Sequence, residues 1–241
     1  MKTLNLSLIF LFVFTYCRGQ DVIEDKTKKN EISIVISDII DGALQVTYER
    51  AISEHFSWGI GVGYKSEHGL ISLSGLDTEK IKTNEITYTG FKIIPEIRYY
   101  FRKDGVANMK GFYVGAYLKY SQYETDFDGR YINDALENYD IEFDAKIKVT
   151  SIGFMVGYKL PVSEKFSIDF LIAGPGTGFY GFTIDNKKDL PDEFYEDLNE
   201  ALDKYHIFDY LDGDFRFSAA HRKSNFNLLT MRYGISLGYS F

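Results

Sequence analysis

From Met231 to Phe241 the chain alternates without a lapse. Met231, Tyr233, Ile235, Leu237, Tyr239 and Phe241 fall on one parity, and Arg232, Gly234, Ser236, Gly238 and Ser240 on the other. Successive side chains of a strand point to opposite faces, so this segment has one wholly apolar face and one small or polar face. An apolar strand ending on an aromatic residue makes sense when its outer face touches lipid and its end sits at head-group level. The same alternation recurs in Phe56, Trp58, Ile60, Val62 and Tyr64, set against Ser57, Gly59, Gly61 and Gly63. Aromatics at both ends with aliphatics between them form the girdle pattern of a membrane strand.

The period of two predicts eight strands, at about 32–40, 43–52, 56–64, 85–101, 111–123, 141–160, 166–182 and 227–241. A two-residue hairpin is expected at Asp41-Gly42. Pro95 suggests a bulge or local break, as does a change of apolar face near Thr150-Ser151. Gly174-Pro175-Gly176-Thr177-Gly178 is expected to break the seventh strand. The connections after strands two, four and six are short. Those after three, five and seven, over 65–84, 124–140 and 183–226, are long. Short periplasmic turns and long external loops mark outer-membrane barrels, and eight strands put both termini on the periplasmic side. The expected fold is therefore all-β, an eight-stranded antiparallel up-and-down transmembrane barrel. A soluble barrel or sandwich would need the aromatic faces inside and the glycine-rich faces wet.

Composition agrees. Aromatics make up 17% of the chain, as expected where they girdle a barrel. No stretch has the roughly 18 consecutive apolar residues of a helical span. Residues 1–19, with Lys2, the apolar run Leu4 to Phe14 and small residues at Cys17 and Gly19, read as a secretory signal peptide. Cys17 as a lipidated cysteine is the alternative, against which Tyr16 stands at a position that favours small residues. Residues 20–30 are a charged, disordered lead-in, and 31–241 the barrel domain. Cleavage after Gly19 leaves no cysteine, so disulfides do not staple this exported chain. Its formal charge of −8 becomes more negative once Lys2 and Arg18 are removed, which argues against nucleic-acid binding.

The inward parity carries Glu49, Glu96, Arg98, Lys119, Lys159, Asp169 and Arg232. Eight strands enclose a space that side chains can fill, so these charges are expected to pair into a plug rather than line an ion path. In the last long connection, Pro191 and the acids after it read as a helix start. Phe194, Leu198, Leu202 and Tyr205 follow at helical spacing, so a short amphipathic helix is expected over about 191–205. Its stripe either meets an external partner or packs on neighbouring loops. Asp126-Phe127-Asp128-Gly129 and the acids of 209–214 offer oxygen ligands but lack the spaced register of a calcium loop. His55, His68 and His206 form no metal constellation. No cofactor is expected.

The segments Gly42 to Ile52 and Phe56 to Tyr64 resemble the small eight-stranded outer-membrane barrels, of the OmpX and OmpA-transmembrane-domain type, and barrel families common in Bacteroidota. Tyr239-Ser240-Phe241 is similar to the signal read by the barrel-assembly machinery, departing at Ser236 where glycine is usual. The resemblance implies outer-membrane lipid, lipopolysaccharide and that machinery as partners, with a further outer-membrane protein as a candidate. It implies a non-enzymatic structural or surface role, with a small-solute channel as the alternative. His221 and Ser224 resemble locally the His-x-Ser-Asn run of lipid A deacylase barrels. The spacing here is His-x-x-Ser, which puts the two on opposite strand faces, so catalysis is not expected.

Overall fold

A computed structural model describes residues 28–67, 69, 75–101, 109–204, 216–218 and 223–241. The strands are β1 (Asn30–Val35), β2 (Ala43–Ala51), β3 (Phe56–Lys65), β4 (Ile81–Thr83), β5 (Thr89–Tyr100), β6 (Gly111–Ile132), β7 (Asn138–Pro161), β8 (Phe166–Asn186) and β9 (Lys223–Ser240). One α-helix, α1 (Asp192–Lys204), follows β8. Apart from the short β4, the strands form one antiparallel ring of eight, β1-β2-β3-β5-β6-β7-β8-β9, with β9 pairing back to β1. The ring shuts where Ile32 lies opposite Tyr239 and the Phe241 amide donates to the Asn30 carbonyl at 2.9 Å. Closure leaves no free edge over the paired length. Tyr239 and Phe241 sit at this end, and the Tyr239 ring meets Phe166 edge-on at 5.3 Å. The proposed signal peptide and most of the lead-in lie outside the described residues.

The alternation places the expected faces. Trp58, Ile60, Val62, Ile97, Phe154 and Leu237 are exposed on the outside of the ring, while Glu49, Arg98, Lys159 and Asp169 are buried inside. Glycines face inward because the interior is crowded by tyrosines. A Cβ at Gly157 would collide with the Tyr113 ring and hydroxyl, and one at Gly153 or Gly176 with Tyr117.

The connections differ from expectation. Strand one stops at Val35, and a 3-10 turn, Ser37–Asp41, replaces the two-residue hairpin. Gly42 ends the turn at φ 72, a left-handed conformation that glycine adopts without a Cβ penalty. Strand four starts at Thr89 rather than Glu85, and β4 adds a short strand beside β6 at Gly129 to Tyr131. At Pro95 the β5–β6 pairing lapses between Ile93 and Glu96, and the register is the same on both sides. The missing amide of proline accounts for a break without a bulge. The glycine run does not end β8. The strand continues through one extra residue between Leu171 and Gly174, a bulge that shifts its register against both neighbours. Nor is 124–140 a long loop, because β6 and β7 stay paired from Gly111 and Lys159 up to Ile132 and Asn138.

No bulge occurs at Thr150-Ser151. Thr150 pairs with Tyr120 on one side and Phe179 on the other, in unbroken register. What changes there is polarity. Below, Ile152 and Phe154 point out, with Phe154 75% exposed, and Ser151 and Lys159 point in. Above, Ile141, Phe143, Ala145 and Val149 point in. The upper barrel is thus built like a water-soluble one, apolar inside, and the lower barrel the other way round. The periodicity marks this inversion as a phase switch, which reads as a bulge when only one polarity is assumed.

Helix α1 closes the upper core. Phe194 and Leu198 are buried together with Tyr195, against Ile81, Tyr131, Ile141 and Phe143. Phe194 stacks on Phe143 at 5.6 Å and meets Tyr131 edge-on at 5.2 Å. The described part of the apolar stripe is therefore spent on this core rather than offered to a partner. Tyr205 and the Leu202 side chain lie outside the described residues. Lys80 fixes the outer side of the helix, 2.9 Å from Asp197 and 2.8 Å from Asp134. Its hydrogen bonds to Asp134 and Asp197 hold its ammonium well above the ordinary lysine range. The Tyr131 hydroxyl donates to Asp197 at 2.7 Å, and burial followed by that carboxylate pushes it above the ordinary tyrosine range. Truncating Phe194→Ala removes a buried aromatic and should cost about 3–5 kcal/mol locally. Limited proteolysis should then cut 187–222 faster while the ring stays folded; equal cleavage in both proteins would show that α1 does not depend on this core.

Candidate functional site

The candidate site is the interior of the lower barrel, where alternate residues of the ring strands meet. Six of the seven expected lumen charges join one network. Glu49 from β2 lies beside Lys159 from β7 at 2.5 Å and Arg98 from β5 at 3.3 Å. Arg98 also reaches Asp169 of β8 at 2.6 Å and Glu96 of its own strand at 2.6 Å. Arg232 of β9 approaches Glu96 at 3.6 Å. Lys119 stands apart, with no ion pair or hydrogen bond among the described residues.

Hydroxyls complete the lower shell. Ser57 and Tyr100 donate to Glu49 at 2.5 and 2.8 Å. Tyr113 donates to Asp169 at 2.9 Å, and its ring lies 4.4 Å beneath the Arg98 guanidinium. Arg232 stacks likewise over Tyr117, whose hydroxyl donates to the Gly174 carbonyl at 3.0 Å. That carbonyl belongs to the β8 bulge.

Sequence reasoning missed several members. Glu31 of β1 is buried, accepts from Lys159 at 2.7 Å, and receives Ser167 and Ser240 at 2.9 and 3.0 Å. Its parity with Ser33 and Val35 is the available signal, but a first strand begun at Ile32 leaves it out. Lys92 and Asp38 pair with each other near the upper end of this region. Lys92 has the parity of Glu96, but Asp38 sits on the 3-10 turn, where no alternation points to it. Among the described residues the interior cations Lys65, Lys92, Arg98, Lys119, Lys159 and Arg232 outnumber the interior acids Glu31, Asp38, Glu49, Glu96 and Asp169, and Lys65 lies over the Tyr88 ring instead of beside a carboxylate.

Burial decides what this arrangement does. Lys159 is only 1% exposed, and an ion there without partners would cost several kcal/mol. Glu31, Glu49, Glu96, Arg98, Lys159 and Asp169 instead each have two or more polar partners. Arg98 serves three carboxylates, so its loss should cost more than the loss of any one of them. Arg98→Met should destabilise by about 3–5 kcal/mol. Asp169→Asn, which leaves Arg98 with Glu49 and Glu96, should destabilise by about 1–3 kcal/mol. Urea midpoints of the protein folded in lipid vesicles would rank the two, and an equal or reversed order would refute the hub role of Arg98.

Above the shell lies a cavity of about 170 Å³, bordered by Lys92, Lys119, Arg232, Asp38, Gln45 and Thr47 among others. The described residues contain no His, Cys, Asp and Glu group able to hold a metal ion. Asp126 and Asp128 lie on the upper, paired part of β6, not on a loop. There Asp126 is pushed above the ordinary carboxylate range, first by its hydrogen bond to Asp144. His68, His206, His221 and the acids of 209–214 fall outside the described residues.

These features define a class: a closed eight-stranded antiparallel barrel, apolar outside and ion-paired within. The chain belongs to the family described as "Protein of unknown function (DUF3575)", whose model matches residues 42–204. Among solved structures it is similar to Acinetobacter baumannii CarO, at 9% identity and a TM-score of 0.43, covering 92% of this chain and 100% of that one. A major outer membrane protein of Thermus thermophilus is similar at 14% identity and a TM-score of 0.37, over 88% of this chain and 98% of that one. No curated protein matches in sequence.

Proposed function

We propose that this chain is a non-enzymatic outer-membrane barrel of the small OmpX and OmpA-transmembrane-domain type. Its lumen is closed by salt bridges, and its role is structural, surface-interacting or that of a subunit in an outer-membrane complex. The observation that carries this reading is the inversion of polarity along single strands. A continuous belt of exposed Trp, Phe, Ile, Leu and Val encircles a charged interior, and water would not tolerate a belt of that extent on a monomer. Lipid suits it, and closure of the ring pairs the backbone along most of the belt, as membrane depth demands.

The ends of the barrel suggest its orientation. The described termini meet beside the tight turns at 52–55 and 162–165, as periplasmic ends do. The other end carries the β6–β7 hairpin, β4 and α1, which would stand outside the cell. Cleavage of residues 1–19, contact with lipopolysaccharide and insertion by the barrel-assembly machinery through Tyr239 and Phe241 belong to the same reading.

A small-solute channel is the second reading, favoured by the charged cavity above the shell. The shell below it, with Arg98 joined to β2 and β8 and Lys159 to β1 and β2, crosses the bore and argues for closure. A lipid-modifying enzyme using His221 and Ser224 would need both on one strand face, which the His-x-x-Ser spacing does not give. Unchanged lipid A in cells with and without the chain would dispose of it.

The protein folded in detergent should migrate faster on gels before boiling than after, and its dichroism should be strand-rich. A chain that stays folded and monomeric without detergent would sink the membrane reading. In planar bilayers the folded protein should be silent, and Arg98→Glu should alter stability rather than current. Steady unitary conductance from the unaltered protein would replace the plug with a channel.

A further inference from the structure

The cavity above the ion shell has an unusual charge distribution. Its acids are already held: Asp38 by Lys92, and Glu96 and Asp169 by Arg98. Its remaining cations are only partly held: Arg232 reaches Glu96 through Nη2 at 3.6 Å and lies over the Tyr117 ring. Lys119 has no polar partner among the described residues, and the charges acting on it are the cations Lys92 and Arg232 and, more weakly, Asp38. The Arg232 Nη1 atom is buried without a hydrogen bond. Two cationic groups with unused donors thus face one chamber, and the Arg232 donor is withdrawn from water without a partner. An anion would satisfy both.

The chamber also borders the weakest seam of the ring. β1 leaves the sheet after Val35, and the last contacts across the seam are Ile36 N to the Ile235 carbonyl at 2.8 Å and Ile235 N to Ser37 Oγ at 3.3 Å. Beyond them, Lys223 to Gly234 of β9 pair with β8 alone among the described residues. On the two sides of this seam Leu229 (85% exposed), Met231 and Tyr233 of β9 and Ile39 and Ile40 of the 3-10 turn are all exposed apolar residues. Backbone at membrane depth without a strand partner is tolerated where it lines a polar cavity, and Met231, Tyr233 and Gly234 border this one.

Resting on the outer-membrane reading, we propose that this chamber binds the anionic head group of a single-chain amphiphile, a phosphate monoester or carboxylate. The head group sits between Lys119 and Arg232, and the tail leaves through the β1–β9 seam along Met231, Tyr233 and Ile39. A charged head would find donors inside the barrel, and an alkyl tail would stay in the belt. The narrow chamber excludes a bulky head, and the acidic shell beneath prevents the anion from passing through.

The test uses the full barrel folded in dodecyl maltoside, titrated with dodecyl phosphate, inorganic phosphate and dodecanol, with bound ligand read by native mass spectrometry. One dodecyl phosphate per chain is expected, at least tenfold tighter than inorganic phosphate or dodecanol. Lys119→Met should weaken it at least tenfold, and Lys119→Arg should retain it. Because Lys119 holds no partner among the described residues, neither variant should lose the heat-dependent gel shift. Equal affinity of the unaltered chain and Lys119→Met, or no stoichiometric binding by protein that still shows the shift, overturns the site. Equal binding of inorganic phosphate overturns the role of the seam and leaves a site for free anions. Loss of the shift in the unaltered protein is a separate failure, that of the outer-membrane reading.

Discussion

A guanidinium withdrawn from water must be surrounded by acceptors, and Arg98 meets that demand from three directions. Its contacts to Glu49, Glu96 and Asp169 tie β2, β5 and β8 across the bore, and the Tyr113 ring covers one of its faces. Lys159 makes the complementary link between β1, β2 and β7. Pairing of this kind returns little net stability against an apolar core of equal volume, because desolvation offsets the attraction. Its value here is different. An apolar interior behind an apolar exterior would give each strand two equivalent faces, and nothing would fix which one turns inward. The buried charges remove that ambiguity, since a strand turned the wrong way would place them in the belt.

The same logic, reversed, organises the upper barrel. Above Thr150 the inward residues become Val149, Ala145, Phe143 and Ile141, and α1 supplies Phe194 and Leu198 to the same core. One strand thus carries two opposite polarities without a change of register at the boundary. The register of β7 against β6 and β8 passes through this level undisturbed. The boundary is written only in which side chains alternate.

Period-two alternation made the ring legible from the sequence, because a one-residue slip would have moved every side chain to the other face. That is why Glu49, Glu96, Arg98, Lys159, Asp169 and Arg232 could be assigned to the interior from parity alone. The connections were less legible. The upper extensions of β6 and β7 carry polar residues outward, so they look like loops when read for an apolar exterior. The bulge in β8 was hidden in a glycine run that normally signals a break. Asp38 could not be found, since a 3-10 turn carries no alternation. Nor could the isolation of Lys119 be read, because what a lumen cation touches depends on which strands lie opposite across the bore. For the helix, the stripe was visible, but its partners Ile81 and Tyr131 lay in segments read as loops, and Ile141 and Phe143 in a strand read as changing face at a bulge.

The span of the ion shell in sequence has a bearing on assembly. Glu31 stands in the first strand, binds Lys159 in the seventh in chain order, and accepts from Ser240 in the last. A fragment that stops before β7 leaves Glu31 and Glu49 without the Lys159 ammonium, and one that stops before β9 leaves Glu31 without Ser240 and Glu96 without Arg232. On the outer-membrane reading proposed above, a sheet entering lipid without β7 would carry carboxylates bare of their ammonium, each several kcal/mol out of place. Insertion and closure would then be coupled into a single cooperative event. Partial barrels would be driven back toward water, and the charges inside would act as a checkpoint on whether the cylinder is whole.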